Sequence, residues 1–438
     1  MEWIVQVAQL LLALSLLVGL HEAGHMIAAR IFGIKVEKFF IGFPPKIFGF
    51  KKGDTEYGLG AIPLGGFVKI SGMIDESLDT DQMKSEPKPW EFRSKPAWQR
   101  LIVMLGGIFV NVVVGIVAMI MVTYSAGRSY ISADFPKQDG IVAGEFAVDM
   151  GFQTGDRIVD IKGNDYTMFR DLTSPDLFLG GGYYTIERDG KQLQLEIPSG
   201  MLSNLEDPEF SEKFVSPRRP FSITFGGLEQ SNAREAGLKE EDRIVKIGDT
   251  PIEFYDQVKP ALLQYAGAVA PVTVLRDGEE IDFQVPTDEE GRLGFFHVSL
   301  LEVTKEDFTL MEALTVGSQD VFGPVITNFK ALGGMFSGDV SVSSLKGPIG
   351  IYKLFPPTWD WHKFWRITAI ISMILAFMNL LPIPALDGGH VAFLLFEMIS
   401  GKAPSDAFLE NAQKVGMVTL LGLMLFVFGN DIFQLFTG

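Results

Sequence analysis

Residues 3–25 read WIVQVAQLLLALSLLVGLHEAGH: an uncharged run from Trp3 to Leu20, then His21, Glu22 and His25. As an α-helix that run rises about 27 Å, close to the hydrocarbon thickness of a bilayer. It predicts a spanning helix whose ionisable groups lie at or inside the far leaflet. Residues four apart share a helix face, so the two imidazoles sit side by side as a pair of zinc ligands. Glu22 beside them stands where a general base takes a proton from metal-bound water. HExxH also arises by chance, and two histidines could simply pack between helices. Placement argues against that, because ionisable residues in a spanning helix are costly and usually mark function.

The chain has 438 residues, 47% of them hydrophobic, with no cysteine and a formal net charge of −17. A few spans plus a sizeable aqueous part would give that average. The acidic balance argues against a nucleic-acid partner, which needs a basic footprint. Disulfides and thiolate zinc sites are excluded. Met1-Glu2-Trp3 lacks a basic leader and a small-residue cleavage site, so the first apolar stretch is expected to stay as a span.

The pattern predicts a polytopic α-helical membrane protein with four transmembrane helices and an inserted α/β region. Helix 1 falls in 1–34 with HExxH, helix 2 in 97–125, helix 3 in 363–400 and helix 4 in 411–438. Residues 31–100 carry 11 Lys/Arg against 9 Asp/Glu, with Lys35, Lys38, Lys46, Lys51 and Lys52 close behind helix 1. Residues 125–362 carry 21 against 38, the whole net deficit. Short basic loops stay cytoplasmic. Both termini and the acidic middle are therefore expected outside, with HExxH toward the cytoplasmic side.

The middle repeats itself. Residues 151–161 and 237–247 share the pattern Gly-apolar-x-x-x-Asp-Arg-Ile-Val-x-Ile, and each unit later has a strand closed by Asp-Gly, at 189–190 and 277–278. The period of roughly 85–90 residues exceeds solenoid repeats and suggests tandem domains, 126–215 and 216–303. They resemble PDZ domains of the bacterial protease type. Such a groove binds an extended peptide as an added strand; a rigid spacer limiting access to the membrane site is the equal alternative. Residues 304–362 read as an amphipathic connection, a helix near Leu310 to Leu332 and then a Gly/Ser-rich stretch before Gly347.

Catalytic zinc takes three protein ligands plus water, so a third is needed. The candidates are carboxylates or one of His297, His362 and His390. Residues 379–389 read NLLPIPALDGG, and Asp387 lies in an apolar stretch just after two prolines that interrupt the helix. A buried carboxylate at such a break suits a His-His-Asp site. Its plain alternative is a helix-end aspartate meeting interfacial water. Asn111, in helix 2, needs an interior partner, whether as packing glue or near the site.

HExxH in the first span with NxxPxPxLDG in the third resembles the site-2 protease family of intramembrane zinc metalloproteases. The PDZ-like pair and four spans resemble its bacterial sigma-E-regulating, RseP-type branch, over essentially the whole chain. That resemblance implies zinc held by His21, His25 and Asp387, with Glu22 as general base and Asn379 positioning substrate or its developing oxyanion. It implies single-span membrane substrates (anti-sigma-type proteins or signal-peptide remnants) and a bacterial inner-membrane location. Peptide or periplasmic protein ligands of the PDZ-like units are a further expectation. It also implies a membrane-associated β-loop within 35–96, where residues 55–69 are apolar, Gly-rich and too interrupted to span. Ala61, Ile62, Pro63 and Leu64 are the residues expected to present its edge to an unwound substrate.

Three other classes fit the sequence less well. An inert scaffold would have no use for Glu22. A transporter predicts paired broken helices, and only one break is visible. A protease for soluble peptides would carry HExxH in a hydrophilic domain.

Overall fold

The computed structural model describes residues 2–73, 86–174, 177–178, 181–198, 210–226, 228, 230–338 and 347–437. The chain divides into two units, one built from residues 1–127, 307–335 and 341–438, the other from 128–306 and 336–340.

The first unit contains α1 (Glu2–Ile31), β1 (Val36–Lys52), β2 (Thr55–Ile70), α2 (Ala97–Ala126), α3 (Leu310–Ser337), α4 (Trp361–Leu380), α5 (Asp387–Ser400) and α6 (Asp406–Thr437). Among the described residues, four stretches are long and apolar enough to cross a bilayer: Glu2–Ile31, Ala97–Ala126, Trp361–Leu380 and Ala407–Phe433. Helix α2 is the hub, with α1, α4 and α5 packed on it. Lipid tails are as apolar as leucine, so close van der Waals approach must hold such helices together. Gly24 and Gly106 provide it, since a Cβ on either would strike the other's backbone. Across the opposite contact Ser372 Oγ of α4 donates to the Asn111 carbonyl at 2.8 Å.

Helix α3 buries Val321 among Ala118, Met119, Ala369 and Met373, while Leu310, Met311, Ile326 and Phe329 are exposed. The Gly/Ser-rich stretch expected before Gly347 lies outside the described residues.

Strands β1 and β2 are each folded back on themselves. Phe40 opposes both Gly58 and Phe67, and Ile41 both Leu59 and Gly66. The 36–41 run therefore has neighbours on both sides. Among the described residues the 66–70 run has one, leaving an open edge. Arg30 at the end of α1 donates to Thr55 Oγ1 at 3.0 Å, and Ser15 Oγ donates to the Pro63 carbonyl at 3.3 Å. The hairpin is thus tied along α1.

Between α4 and α5 the chain cannot stay helical, because Pro382 and Pro384 lack N–H donors and clash with the preceding turn. Tight turns satisfy part of the freed backbone, Ile383 N–H donating to Leu381 O at 2.7 Å and Leu386 N–H to Ile383 O at 3.0 Å. Ala385 takes a φ of +78°. Helix α5 then restarts at Asp387, whose carboxylate sits in its first turn, where the helix dipole favours an anion.

The second unit has two apolar cores, one around Phe152, Ile158, Tyr184 and Phe214, the other around Ile223, Ile244, Val272 and Val285. The sequence repeat is a repeat of geometry. Strand Arg157–Ile161 pairs with Tyr183–Arg188, and Arg243–Ile247 pairs with Val269–Arg276; the irregularity falls after Ile158 in one and after Ile244 in the other. Asp156 accepts from Arg188 Nε and Nη2, both at 2.7 Å, and Asp242 from the same atoms of Arg276, both at 2.6 Å. Each arginine also reaches a carbonyl, Gly151 or Gly237. Asp189–Gly190 and Asp277–Gly278 all take positive φ, as a type I′ hairpin turn requires.

Asp242→Ala should therefore lose about 2 kcal/mol of local stability, the worth of hydrogen bonds between charged groups. Hydrogen exchange across residues 243–276 of the full-length chain should speed up accordingly, and Asp242→Asn, which keeps one acceptor, should lose less.

Candidate active site

One turn of α1 carries His21, Glu22 and His25; both histidines are buried, at 7% and 5% exposure. His25 Nδ1–H donates to the Val103 carbonyl of α2 at 2.8 Å, which leaves its Nε2 lone pair facing inward. His21 Nδ1 lies 3.3 Å from the side-chain amide of Asn111, also on α2. These contacts need α2 pressed against the ligand face of α1. Gly107 permits it, because a Cβ there would fall against both imidazole rings.

The proline break delivers the third group. Asp387 Oδ2 is 3.0 Å from His21 Nε2 and 3.3 Å from His25 Nε2, and the two Nε2 atoms are 3.1 Å apart. Tetrahedral zinc with ligands at about 2.0–2.1 Å requires ligand–ligand edges of about 3.4 Å, so this triangle fits to a few tenths of an ångström. Asp387 Oδ2 is buried yet, among the described residues, has no partner in hydrogen-bond geometry. An orphaned carboxylate oxygen beside two ring nitrogens is a donor set suited to a divalent cation. His21, His25 and Asp387 could hold one.

The triangle opens on a cavity of about 500 Å³, lined by residues of α1, α2, α4, α5, α6 and the hairpin. Glu22 lines it, as does Val68 of β2. Asn379, at the end of α4, places Nδ2 at 3.5 Å from His21 Nε2. Six expected residues thus gather or lie near one another: His21, Glu22, His25, Asn379, Asp387 and Asn111.

The strand residues are distributed differently. Ala61, Ile62 and Pro63 are exposed, the Leu64 side chain lies outside the described residues, and the wall is made by the next four residues, Gly65 to Val68. Burial does not alternate along this strand, and three glycines in seven residues offer no way to tell which segment turns inward. His390 lines the cavity, one turn after Asp387. His297 belongs to the second unit, where its ring stacks on Tyr255, and His362 is exposed in the first turn of α4. Gln413 of α6, buried and lining the cavity, went unnoticed in the sequence. It lies in the polar run Glu410-Asn411-Ala412-Gln413-Lys414, where nothing in the sequence sets it apart from Asn411.

The pattern described as Peptidase family M50 matches residues 9–423. The chain belongs to peptidase family M50. It is similar to the Regulator of sigma E protease of Haemophilus influenzae, at 29% identity over 99% of this chain and 100% of that one. It is also similar to the Metalloprotease MmpA of Caulobacter vibrioides, at 26% identity over 98% and 96% of the two chains. A chain from Neisseria meningitidis whose provisional name is zinc metalloprotease is 28% identical over 97% and 98%. This M50 chain is accordingly a zinc metalloendopeptidase of the site-2 type and a membrane protein, and its cofactor is zinc.

Replacing glycine by alanine inside a helix ordinarily stabilises it by about 0.5–1 kcal/mol. Gly107→Ala in this M50 chain should instead displace the imidazoles. The purified variant should keep its helical circular dichroism yet retain less than stoichiometric zinc by metal analysis.

Proposed function

We propose that this protein hydrolyses peptide bonds within or near the transmembrane segment of single-span membrane proteins. The observation that carries the reading is the His21–His25–Asp387 triangle, set among helices apolar enough to span a bilayer, with Glu22 on the same cavity. His21 and His25 through Nε2 and Asp387 through Oδ2 are the zinc ligands. Bound there, zinc supplies a Lewis acid for the attacking water and the scissile carbonyl. Glu22 takes the proton of that water and later returns it to the leaving amine. Asn379 turns its Nδ2–H donors toward the oxygen on which charge develops. The cavity wall shields these groups from bulk water, which strengthens each of these interactions.

A helical substrate hides its carbonyls in its own hydrogen bonds, so it must be opened before attack. The open edge of β2 beside the cavity supports capture of the unwound segment as an added strand, centred on Gly65 to Val68 and flanked by Ala61 to Leu64.

On this reading residues 126–215 and 216–303 are tandem PDZ-like domains outside a bacterial inner membrane, with both termini on that side and the active site toward the cytoplasm. The basic first loop and acidic middle support the orientation. Peptide binding by the second domain is favoured by strand Phe296–Ser299, which pairs on one side with Phe221–Thr224 and exposes Phe296 and Val298. Given the relative named for sigma E regulation, substrates of anti-sigma-factor type fit best, with remnant signal peptides a second class.

The test is cleavage of a single-span model protein by the detergent-purified chain. The native enzyme should cut it and a zinc chelator should stop it. Glu22→Gln should fall by at least about 10²-fold while still retaining zinc, as loss of a general base implies. Undiminished cleavage by Glu22→Gln, or cleavage indifferent to the chelator, would refute the assignment.

A further inference from the structure

Asn111 is 1% exposed, and its amide is next to the His21 ring at 3.3 Å. With Nδ2 turned toward the ring, Oδ1 is buried without a hydrogen-bond partner among the described residues. That orientation conflicts with the chemistry of the ring. A histidine that ligates through Nε2 needs its lone pair there and its proton on Nδ1. Nδ1–H and an amide N–H would then meet donor to donor.

An amide's oxygen and nitrogen have nearly the same shape, so the choice between them follows from the partners. Rotating the Asn111 amide by half a turn presents Oδ1 to Nδ1–H and gives the orphaned oxygen its partner. The other histidine supplies the pattern, since His25 Nδ1 faces the Val103 carbonyl, a group that can only accept. Val103 and Asn111 belong to one helix, α2.

We infer that Asn111 accepts from His21 Nδ1–H through Oδ1, so that α2 holds both zinc-binding histidines in the Nδ1–H tautomer. The inference rests on His21 being a ligand, as proposed above. Asn111 is thus a positioning residue acting through His21. Interhelical bonding does not account for it: the bond from α4 goes to the Asn111 backbone carbonyl, from Ser372, and leaves the side chain facing the ring.

The test reads zinc affinity of the purified full-length chain by competition with a chromophoric chelator, independently of proteolysis. Asn111→Leu, which can neither accept nor donate, should bind zinc about 10–100-fold more weakly than native. Asn111→Asp, which can only accept, should hold zinc as tightly as native. A packing or donor role predicts the opposite for the aspartate, whose charge would have no donor to meet. Native affinity in Asn111→Leu, or an Asn111→Asp variant as weak as the leucine, overturns the inference. His21→Ala serves as the separate control: if it binds zinc like native, the ligand assignment itself is what fails.

Discussion

Two imidazoles and a carboxylate brought within about one zinc coordination sphere, among helices apolar enough to cross a bilayer, is the constraint from which the first unit follows. An isolated carboxylate in hydrocarbon is expensive, and no water is at hand to solvate it. His21 and Asp387 stand more than 360 residues apart in the chain. Their meeting needs α1 and α2 in backbone contact at Gly24 and Gly106, α4 seated on α2, and a break that turns Asp387 inward rather than letting the helix run on. Each of these features would be a defect by itself. Glycines weaken helices, prolines break them, and buried acids oppose burial. Together they are consistent with a single site.

Much of this was readable beforehand because the signals are local. Length and polarity mark the four apolar helices, HExxH places two rings on one face, and Asp-Arg-Ile-Val marks the repeated turn before a strand. The same Asp–Arg pairing at 156–188 and 242–276 shows why the repeat is visible: each unit places an aspartate just before one strand and its arginine at the end of the next, though the pairs are 32 and 34 residues apart. Asp387 could be suspected from its apolar setting, though the histidines, hundreds of residues away, could not select it over other carboxylates. That pairing is tertiary.

What escaped the sequence depends on direction in space. Val36–Lys52 holds two prolines, three lysines past position 45 and no clean alternation, so its strand character comes from being flanked by 55–59 and 66–70 rather than from propensity. The cavity wall is lined by Gly65 to Val68, next to Ala61 to Leu64, and the apolar, Gly-rich composition of the whole run does not distinguish the two segments. Gln413 was hidden for another reason. In α6 only tertiary position separates an amide that lines a cavity from one at the lipid boundary.

Val68 and Glu22 line one cavity, which joins two tasks that are usually separate. On the proposed reading, the strand that receives the substrate therefore also lies beside the base. Opening a helix in lipid strands backbone groups at several kcal/mol each, which only an alternative partner can offset. The β2 edge supplies such partners within reach of Glu22, so a segment held well enough to be unwound is also held where the proton acceptor stands. Binding and chemistry are then coupled through one strand, and a poorly seated substrate loses both together.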